Sequence, residues 1–142
     1  MERTILDKLA TEVRYFHNRD FLKATMAVCA LAAVADDEVK PSEYQQISVI
    51  LEEEPTLRAL DSKKAIDTLY EYIHALQADK TSAAAVLYKK VRRLRGSHKR
   101  ARTLMRVSYL VIAADGEVNY KERAVLWRIC DMLNLDPREV LP

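Results

Sequence analysis

The chain contains an internal repeat, in which residues 26–50 read MAVCALAAVADDEVKPSEYQQISVI and residues 105–129 read MRVSYLVIAADGEVNYKERAVLWRI. The second segment begins 79 positions after the first, and nine of the 25 aligned residues are identical. About two identities are expected at average composition. Each segment predicts one structural unit, made of a buried helix, a short acidic corner and a second, amphipathic helix.

The acidic stretches in the middle of the two segments hold the candidate functional residues. We call residues 35–43 (ADDEVKPSE) the first corner and residues 114–122 (ADGEVNYKE) the second corner. Five of the nine identities lie in these corners. Two such hairpins are predicted to pack about an approximate two-fold axis, which would bring the corners together.

Helix capping explains part of the corner sequences. Gly116 suits the left-handed residue that ends a helix, and Asn119 with Glu122 forms a capping-box pair. Pro41 suits the first position of a helix, although the capping residue of the first corner is ambiguous. On this interpretation Glu43 and Glu122 are caps or favourable charges at positive helix ends, each worth roughly 0.5 to 1 kcal/mol.

Asp36 and Asp115 need a different explanation. Each falls at the carboxyl end of a predicted helix, where the macrodipole disfavours a negative charge, and a bound cation would compensate for this. The second corner also matches the second half of a calcium-binding loop, with a ligand, a glycine, an apolar residue and a terminal Glu in register. The first half of that loop is absent from both repeats, so neither corner alone is an EF-hand.

Two half-sites predict one complete cation site if the corners meet. Four carboxylates about 6 Å apart would repel by roughly 3 kcal/mol per pair at an effective dielectric constant near 20, and a hard divalent ion would relieve that repulsion. Ligation by oxygen alone favours Ca²⁺, Mg²⁺ or Mn²⁺ over zinc. Cation binding and pure capping both remain open here. The candidate metal ligands are Asp36, Glu43, Asp115 and Glu122, together with the further corner residues Glu38 and Glu117.

The corners and the segment MLNLDPREV at residues 132–140 resemble the TerB-like domains associated with tellurite resistance, which are similar to the amino-terminal domain of the membrane co-chaperone DjlA. The resemblance covers residues 20–142 and implies an all-α TerB-like fold of roughly seven helices. Apolar spacing predicts a separate amino-terminal helix in residues 1–19. It also implies a divalent-cation role for Asp36, Glu43, Asp115 and Glu122. The chain departs from the family pattern at Asp37, where Gly is usual.

Composition and periodicity predict a single all-α unit, a compact bundle of about seven helices. The 142 residues include only two Gly and four Pro, which is little turn chemistry for an all-β or Rossmann-type chain. Apolar residues recur at helical spacing, and the breaks predict seven helices and a final turn that Asp136 begins. Segments 21–35 and 103–114 are apolar on nearly every side, so we expect them at the centre.

Charge is distributed very unevenly, although the net charge is only +2. Residues 80–106 hold ten Lys or Arg and no acidic residue, so the rest of the chain carries about −8. A solvated face and a face that binds an acidic protein, a lipid headgroup or nucleic acid both remain open. Sequence-specific nucleic-acid binding is not expected, because a recognition helix and interleaved aromatics are missing. The candidate anion or partner surface comprises Lys89, Lys90, Arg92, Arg93, Arg95, Lys99 and Arg100.

Other signals are weaker. Glu71 and His74 have the spacing of a helical di-iron ligand pair, but a second Glu-x-x-His is missing, and the polar side of a helix is the simpler interpretation. The chain has no Gly-rich phosphate loop and no cysteine in a polar context, so we expect a protein-interaction module and not an enzyme. Trp127 follows an apolar stripe and is expected in the core. Cys29 and Cys130 are expected as small core side chains in a reducing cytoplasm.

The longest apolar runs, residues 26–35 and 107–114, are far shorter than the roughly 20 residues needed to cross a bilayer. The amino terminus has acidic residues and lacks the apolar region of a secretory signal. These features predict a cytoplasmic protein without a transmembrane segment.

Overall fold

The described part of the chain, residues 3–36 and 39–142 of a computed structural model, folds into eight α-helices joined by short connections. The side chains of Asp36 and Asp115 also lie outside the described residues. No strand occurs in these ranges, so the predicted all-α class is confirmed. The helices are α1 (Arg3–Phe16), α2 (Arg19–Ala33), α3 (Pro41–Glu53), α4 (Ser62–Ala78), α5 (Lys80–Arg92), α6 (His98–Ile112), α7 (Tyr120–Met132) and α8 (Pro137–Val140).

Polar capping residues fix where the helices begin. The side chains of Asn18, Asp61, Asp79 and Ser97 each accept a hydrogen bond of 2.8 to 3.2 Å from the backbone amide three residues later. These bonds satisfy amide groups that have no partner inside α2, α4, α5 and α6. Asp136 caps the short α8 in a similar way. The predicted succession of seven helices and a final turn is therefore confirmed.

The helix–corner–helix unit recurs 79 positions later in the structure. α2 and α6 have 15 residues each, and α3 and α7 have 13 residues each. Both α2 and α6 end in a 3₁₀ turn, Val34–Asp36 or Ala113–Asp115. The turn after α2 contacts α7, and the turn after α6 contacts α3, so each corner packs on the second helix of the other repeat. The approximate two-fold axis itself stays a prediction.

The core is built around α2 and α6, as the apolar segments 21–35 and 103–114 predicted. Every residue of α2 from Ala24 to Ala32 is buried, and α2 packs against α4, α5, α6 and α7. Cys29 and Cys130 are both buried and unbonded, as expected. Burial raises the pKa of each thiol to about 12, so both stay protonated near neutral pH and neither is a reactive thiolate.

α2 and α6 lie side by side and point in the same direction. At their amino ends the Arg100 guanidinium donates a hydrogen bond of 3.1 Å to the side-chain oxygen of Asn18, the cap of α2. At their carboxyl ends Ala33 and Ile112 line a common cavity. The two macrodipoles therefore add, and each helix contributes about half a positive charge at the Asn18 end and about half a negative charge at the corners. We call these the amino end and the corner end of the molecule.

The expectation that Trp127 belongs to the core is wrong. Its side chain is 43% exposed, because the buried face of α7 is formed by Leu126, Ile129 and Cys130 and Trp127 lies at the edge of that face. In the described ranges, none of the helices is both long enough and apolar enough to cross a membrane.

Candidate cation site at the paired corners

Glu43 and Glu122 line the same small cavity at the corner end, although they are 79 positions apart in the chain. The cavity has a volume of about 30 Å³. That is enough space for one water molecule or one ion, and far too little for an organic ligand. The other lining residues that the structure describes are uncharged: Cys29, Ala33, Gln46, Ile47, Ile112 and Ala114.

A complete capping box holds Glu122 at the start of α7. The Asn119 side chain accepts a hydrogen bond of 2.9 Å from the Glu122 amide, and the Glu122 carboxylate accepts one of 3.1 Å from the Asn119 amide. Gly116 precedes this box with a φ of 106°, in the left-handed region that glycine adopts readily. The predicted capping pair and the predicted turn glycine are both confirmed.

Glu43 reaches the cavity because Pro41 begins α3. Pro41 occupies the first helical position, and the Glu43 amide donates a hydrogen bond of 3.0 Å to the Lys40 carbonyl. Lys40, the residue before the helix, makes no side-chain cap. The ambiguity in the first corner is thereby resolved, since α3 starts at proline without a side-chain acceptor.

Aromatic rings and a thiol lie beside Glu43. The Tyr44 and Tyr70 rings stack with their centroids 4.3 Å apart. Burial raises the pKa of Tyr44, and the neighbouring Tyr70 and Glu43 raise it further. The Cys29 thiol in the cavity wall is protonated because burial raises its pKa to about 12. The carboxylates of Glu43 and Glu122 are therefore the charged groups in the described lining of the cavity.

The other predicted ligands are only partly described. Asp36 and Asp115 are the last residues of the two 3₁₀ turns, at the carboxyl ends of α2 and α6 as expected, but their side chains lie outside the described residues. Glu38 also lies outside them, and Glu117 is exposed. Among the side chains that the structure describes, no three His, Cys, Asp or Glu residues form a group that could hold a metal ion. The six-residue ligand set stays a prediction.

A larger groove adjoins the small cavity. It has a volume of about 620 Å³ and follows the outer face of α3, where Val49, Ile50 and Glu53 line it. Gln46 and Ala114 line both the groove and the small cavity, so the two spaces adjoin at these residues. An ion approaching along the groove would meet an acidic residue, Glu53, before it reaches the corners.

The alternative metal pair on α4 lies in a different environment. Glu71 and His74 are both exposed on α4, as expected for the polar side of that helix. The His74 ring faces the Tyr70 ring, with their centroids 6.5 Å apart. Within the described part of the chain, neither residue belongs to a group of three possible metal ligands.

The seven predicted anion-surface residues lie at the opposite end of the molecule from the small cavity. Leu87, Val91 and Leu94 are buried, and five of the seven cations are exposed, whereas Lys90 and Arg100 are half-buried. They occupy the last turn of α5, the connection to α6 and the first turn of α6. α6 has 15 residues and spans about 22 Å at 1.5 Å per residue, which sets the distance between this surface and the corners. We call Lys89, Lys90, Arg92, Arg93, Arg95, Lys99 and Arg100 the basic surface.

Exposed aromatic residues are features that the sequence reasoning missed. Tyr15 is 82% exposed at the end of α1, and Tyr120 is 78% exposed at the start of α7. The helical pattern contained a signal for Tyr15, because Leu9 and Val13 form the buried face of α1 and Tyr15 lies off that face. An aromatic side chain placed outside the apolar stripe of a helix is a candidate contact residue.

Comparison with known proteins agrees with the corner motifs. The chain matches the family described as tellurite resistance protein TerB over residues 22–141, a range that contains both repeats and both corners. It is also 26% identical over 101 residues to a tellurium resistance protein TerB from Alcaligenes sp, which covers 71% of this chain and 83% of that relative. No solved structure gives a significant match. The chain belongs to the TerB family of tellurite resistance proteins.

Proposed function

We propose that this TerB-family chain binds one divalent cation between its two corners, and that the bound ion fixes the corners as part of a protein-interaction module. The observation that carries this proposal is the shared cavity, which Glu43 and Glu122 line from separate repeats. The family is not known as a family of enzymes, and the proposed role is binding.

Electrostatics support a cation at this position. The carboxyl ends of α2 and α6 and the amino ends of α3 and α7 all lie at the cavity, so the partial charges of the helix ends largely offset one another and the two carboxylates supply the net negative charge. A doubly charged ion would relieve their mutual repulsion. The ligand atoms of Glu43 and Glu122 are oxygens, and the Cys29 thiol is protonated, so Ca²⁺, Mg²⁺ or Mn²⁺ fits better than zinc.

The competing interpretation is that both glutamates serve only as helix caps. Glu122 belongs to a formed capping box, and Glu43 lies in the first turn of α3, where the helix end is positive. Substitution by glutamine separates the two interpretations, because glutamine keeps an oxygen that accepts the capping hydrogen bond and loses the charge that an ion needs.

The test is titration of chelator-stripped protein with Ca²⁺, Mg²⁺ and Mn²⁺, followed by calorimetry and thermal unfolding. At an ion concentration about 100 times Kd, stability is expected to rise by roughly 2.7 kcal/mol, which raises Tm by about 5 to 10 °C. Glu43→Gln with Glu122→Gln should abolish the shift. Glu52→Gln, an exposed change on α3, is the matched control and should leave it intact. A wild-type protein that responds to none of the three ions would refute the proposal.

A role in tellurite resistance is the proposed biological setting. It is supported by the family match and by the name of the Alcaligenes relative. Deletion of the gene is expected to lower the tellurite tolerance of its host, and complementation with the Glu43→Gln, Glu122→Gln gene is expected to restore it poorly. Equal tolerance with and without the gene would contradict this setting.

A second function, docking on an anionic surface, is supported by the basic surface. Within the described residues, none of its seven cations forms an ion pair with a carboxylate. Arg92→Gln with Arg93→Gln should weaken the salt-sensitive retention of the protein on heparin. Unchanged retention would count against this second function.

A further inference from the structure

We infer that the basic surface and Tyr15 together dock the protein on an anionic lipid bilayer, with the corner end directed away from the membrane. This inference rests on the second function proposed above and is independent of the cation site.

In the described part of the chain, the cations of the basic surface form no ion pair with a carboxylate. Two of its arginines bond to neutral amides: Arg100 donates to Asn18 at 3.1 Å, and Arg95 donates two bonds of 3.1 Å to Asn134 when the Asn134 amide oxygen faces it. Arg92 and Arg93 are exposed. The ion-paired arginines of α1 and α8 lie outside this surface. The amino ends of α2 and α6 and the carboxyl end of α5 carry opposite partial charges at this end, so the positive potential comes from the cationic side chains.

The form of the surface suits a flat partner. Its cations lie at two helix ends and on the connection between α5 and α6. Arg92 at the end of α5 is exposed, and so are Arg93, Arg95 and Gly96 in the connection. The space above Gly96 is open, since a Cβ atom added to this glycine would meet no other atom within 4 Å. A surface of this kind brings several cations to a plane of headgroups at once, and each contributes separately to membrane attraction.

Tyr15 lies next to the basic surface and distinguishes a bilayer from other polyanions. One turn before it, the Glu12 carboxylate accepts a hydrogen bond of 2.7 Å from Thr103 of α6, and three residues after it Asn18 bonds to Arg100. These two contacts hold the end of α1 beside the first turns of α6. Tyrosine favours the membrane–water interface, because its ring is apolar and its hydroxyl is polar. One exposed aromatic is too few to stack successive nucleic-acid bases, so the lipid surface fits better.

The length of α6 makes this orientation electrostatically favourable. The corners lie about 22 Å from the basic surface, which is more than twice the screening length of about 8 Å at physiological salt. The negative corners are therefore screened from an anionic bilayer that the basic surface touches, and they stay accessible on the far side.

The test is co-sedimentation of the full chain with vesicles of phosphatidylcholine alone and of equal parts phosphatidylcholine and phosphatidylserine. Binding is expected only with phosphatidylserine and should weaken as salt increases. Arg92→Gln with Arg93→Gln should lower the partition coefficient about 30-fold, since each cation near the surface accounts for about five-fold. Tyr15→Ser should lower it by several-fold without changing its salt dependence. The control, Lys8→Gln with Arg128→Gln, removes the same charge from exposed positions outside the basic surface and should bind like wild type.

Heparin retention and vesicle binding separate this inference from the function on which it rests. Retention on heparin without binding to phosphatidylserine vesicles would overturn the lipid assignment and indicate a surface that binds polyanions in general. If duplex DNA then binds more tightly than heparin, the partner would be a nucleic acid. Failure of both assays would overturn the second function and the inference together. Equal loss of vesicle binding in the control variant would also overturn the inference, because it would show that net charge and not this surface is responsible.

Discussion

Replacing Glu43 and Glu122 by glutamine removes two carboxylates from the corner cavity and preserves the size of both side chains. The cation proposal predicts opposite effects of this double change with and without the ion. Without a divalent ion, the variant should be as stable as wild type or slightly more stable. With a saturating ion, it should be clearly less stable.

The magnitude follows from two opposing contributions. Carboxylates about 6 Å apart repel by roughly 3 kcal/mol at an effective dielectric constant near 20, and salt reduces that repulsion further at a partly exposed site. Each glutamate also gains about 0.3 to 1 kcal/mol from the positive end of its own helix, which glutamine gives up. The difference favours the ion-free variant by at most about 1 kcal/mol. An ion at about 100 times Kd adds roughly 2.7 kcal/mol to wild type alone.

The assay is urea unfolding at one pH and one ionic strength, with chelator or with each ion. The expected signature is a reversal of the stability order of wild type and variant when the ion is added. Glu52→Gln, the exposed control on α3, should follow wild type under both conditions. A variant that is less stable than wild type by the same amount with and without ions would refute the reasoning, because it would show that the glutamates act only as helix caps.

Three further predictions concern the fold that positions the site. Gly116→Ala should lower stability by about 1 kcal/mol in urea unfolding, because its φ of 106° is unfavourable for alanine although space for the methyl group is open; no loss would contradict this. Thr103→Val removes the hydrogen bond to the carboxylate of Glu12, which is only 6% exposed, and should lower the free energy of unfolding by about 1 to 3 kcal/mol. A variant as stable as wild type would show that the Glu12 carboxylate has another hydrogen-bond donor. The thiols of Cys29 and Cys130 should resist alkylation at pH 8 until the protein unfolds. Rapid labelling of the folded protein would contradict this protection. Because burial raises the pKa of each thiol in the folded protein from 9.0 to about 12, the stability gained by burying the protonated thiols should be complete below pH 9 and lost as the pH rises towards 12.

The helices were predictable because their boundaries depend on local chemistry. The caps of α2, α4, α5 and α6 are Asn, Asp or Ser residues. Each side chain accepts a hydrogen bond from the backbone amide three residues later, so the cap can be recognised from the local sequence alone. The internal repeat could also be recognised from the sequence, because the residues that form the 3₁₀ turn and begin the next helix occupy matching positions in both units. The joint lining of one cavity by Glu43 and Glu122 depended in addition on packing, which the repeat only suggested.

The features that sequence reasoning missed depend on contacts between distant residues. Glu12 is buried in α1 because Thr103 of α6 donates to it, and no pattern near Glu12 indicates that partner. The common direction of α2 and α6 arises from the way the helices pack, and it places the basic surface opposite the corners. Helical spacing predicts Trp127 in the core, but its side chain lies at the edge of the apolar stripe, where small rotations of a helix decide exposure.

Paramagnetic broadening by Mn²⁺ in the NMR spectrum tests the shared cation site most directly. With a small fraction of one equivalent of Mn²⁺, amide signals at both corners, around Glu43 and around Glu122, should broaden in parallel while those near Gly96 stay sharp. Broadening confined to one corner, or spread evenly over the acidic surface, would contradict a single ion held between the two repeats.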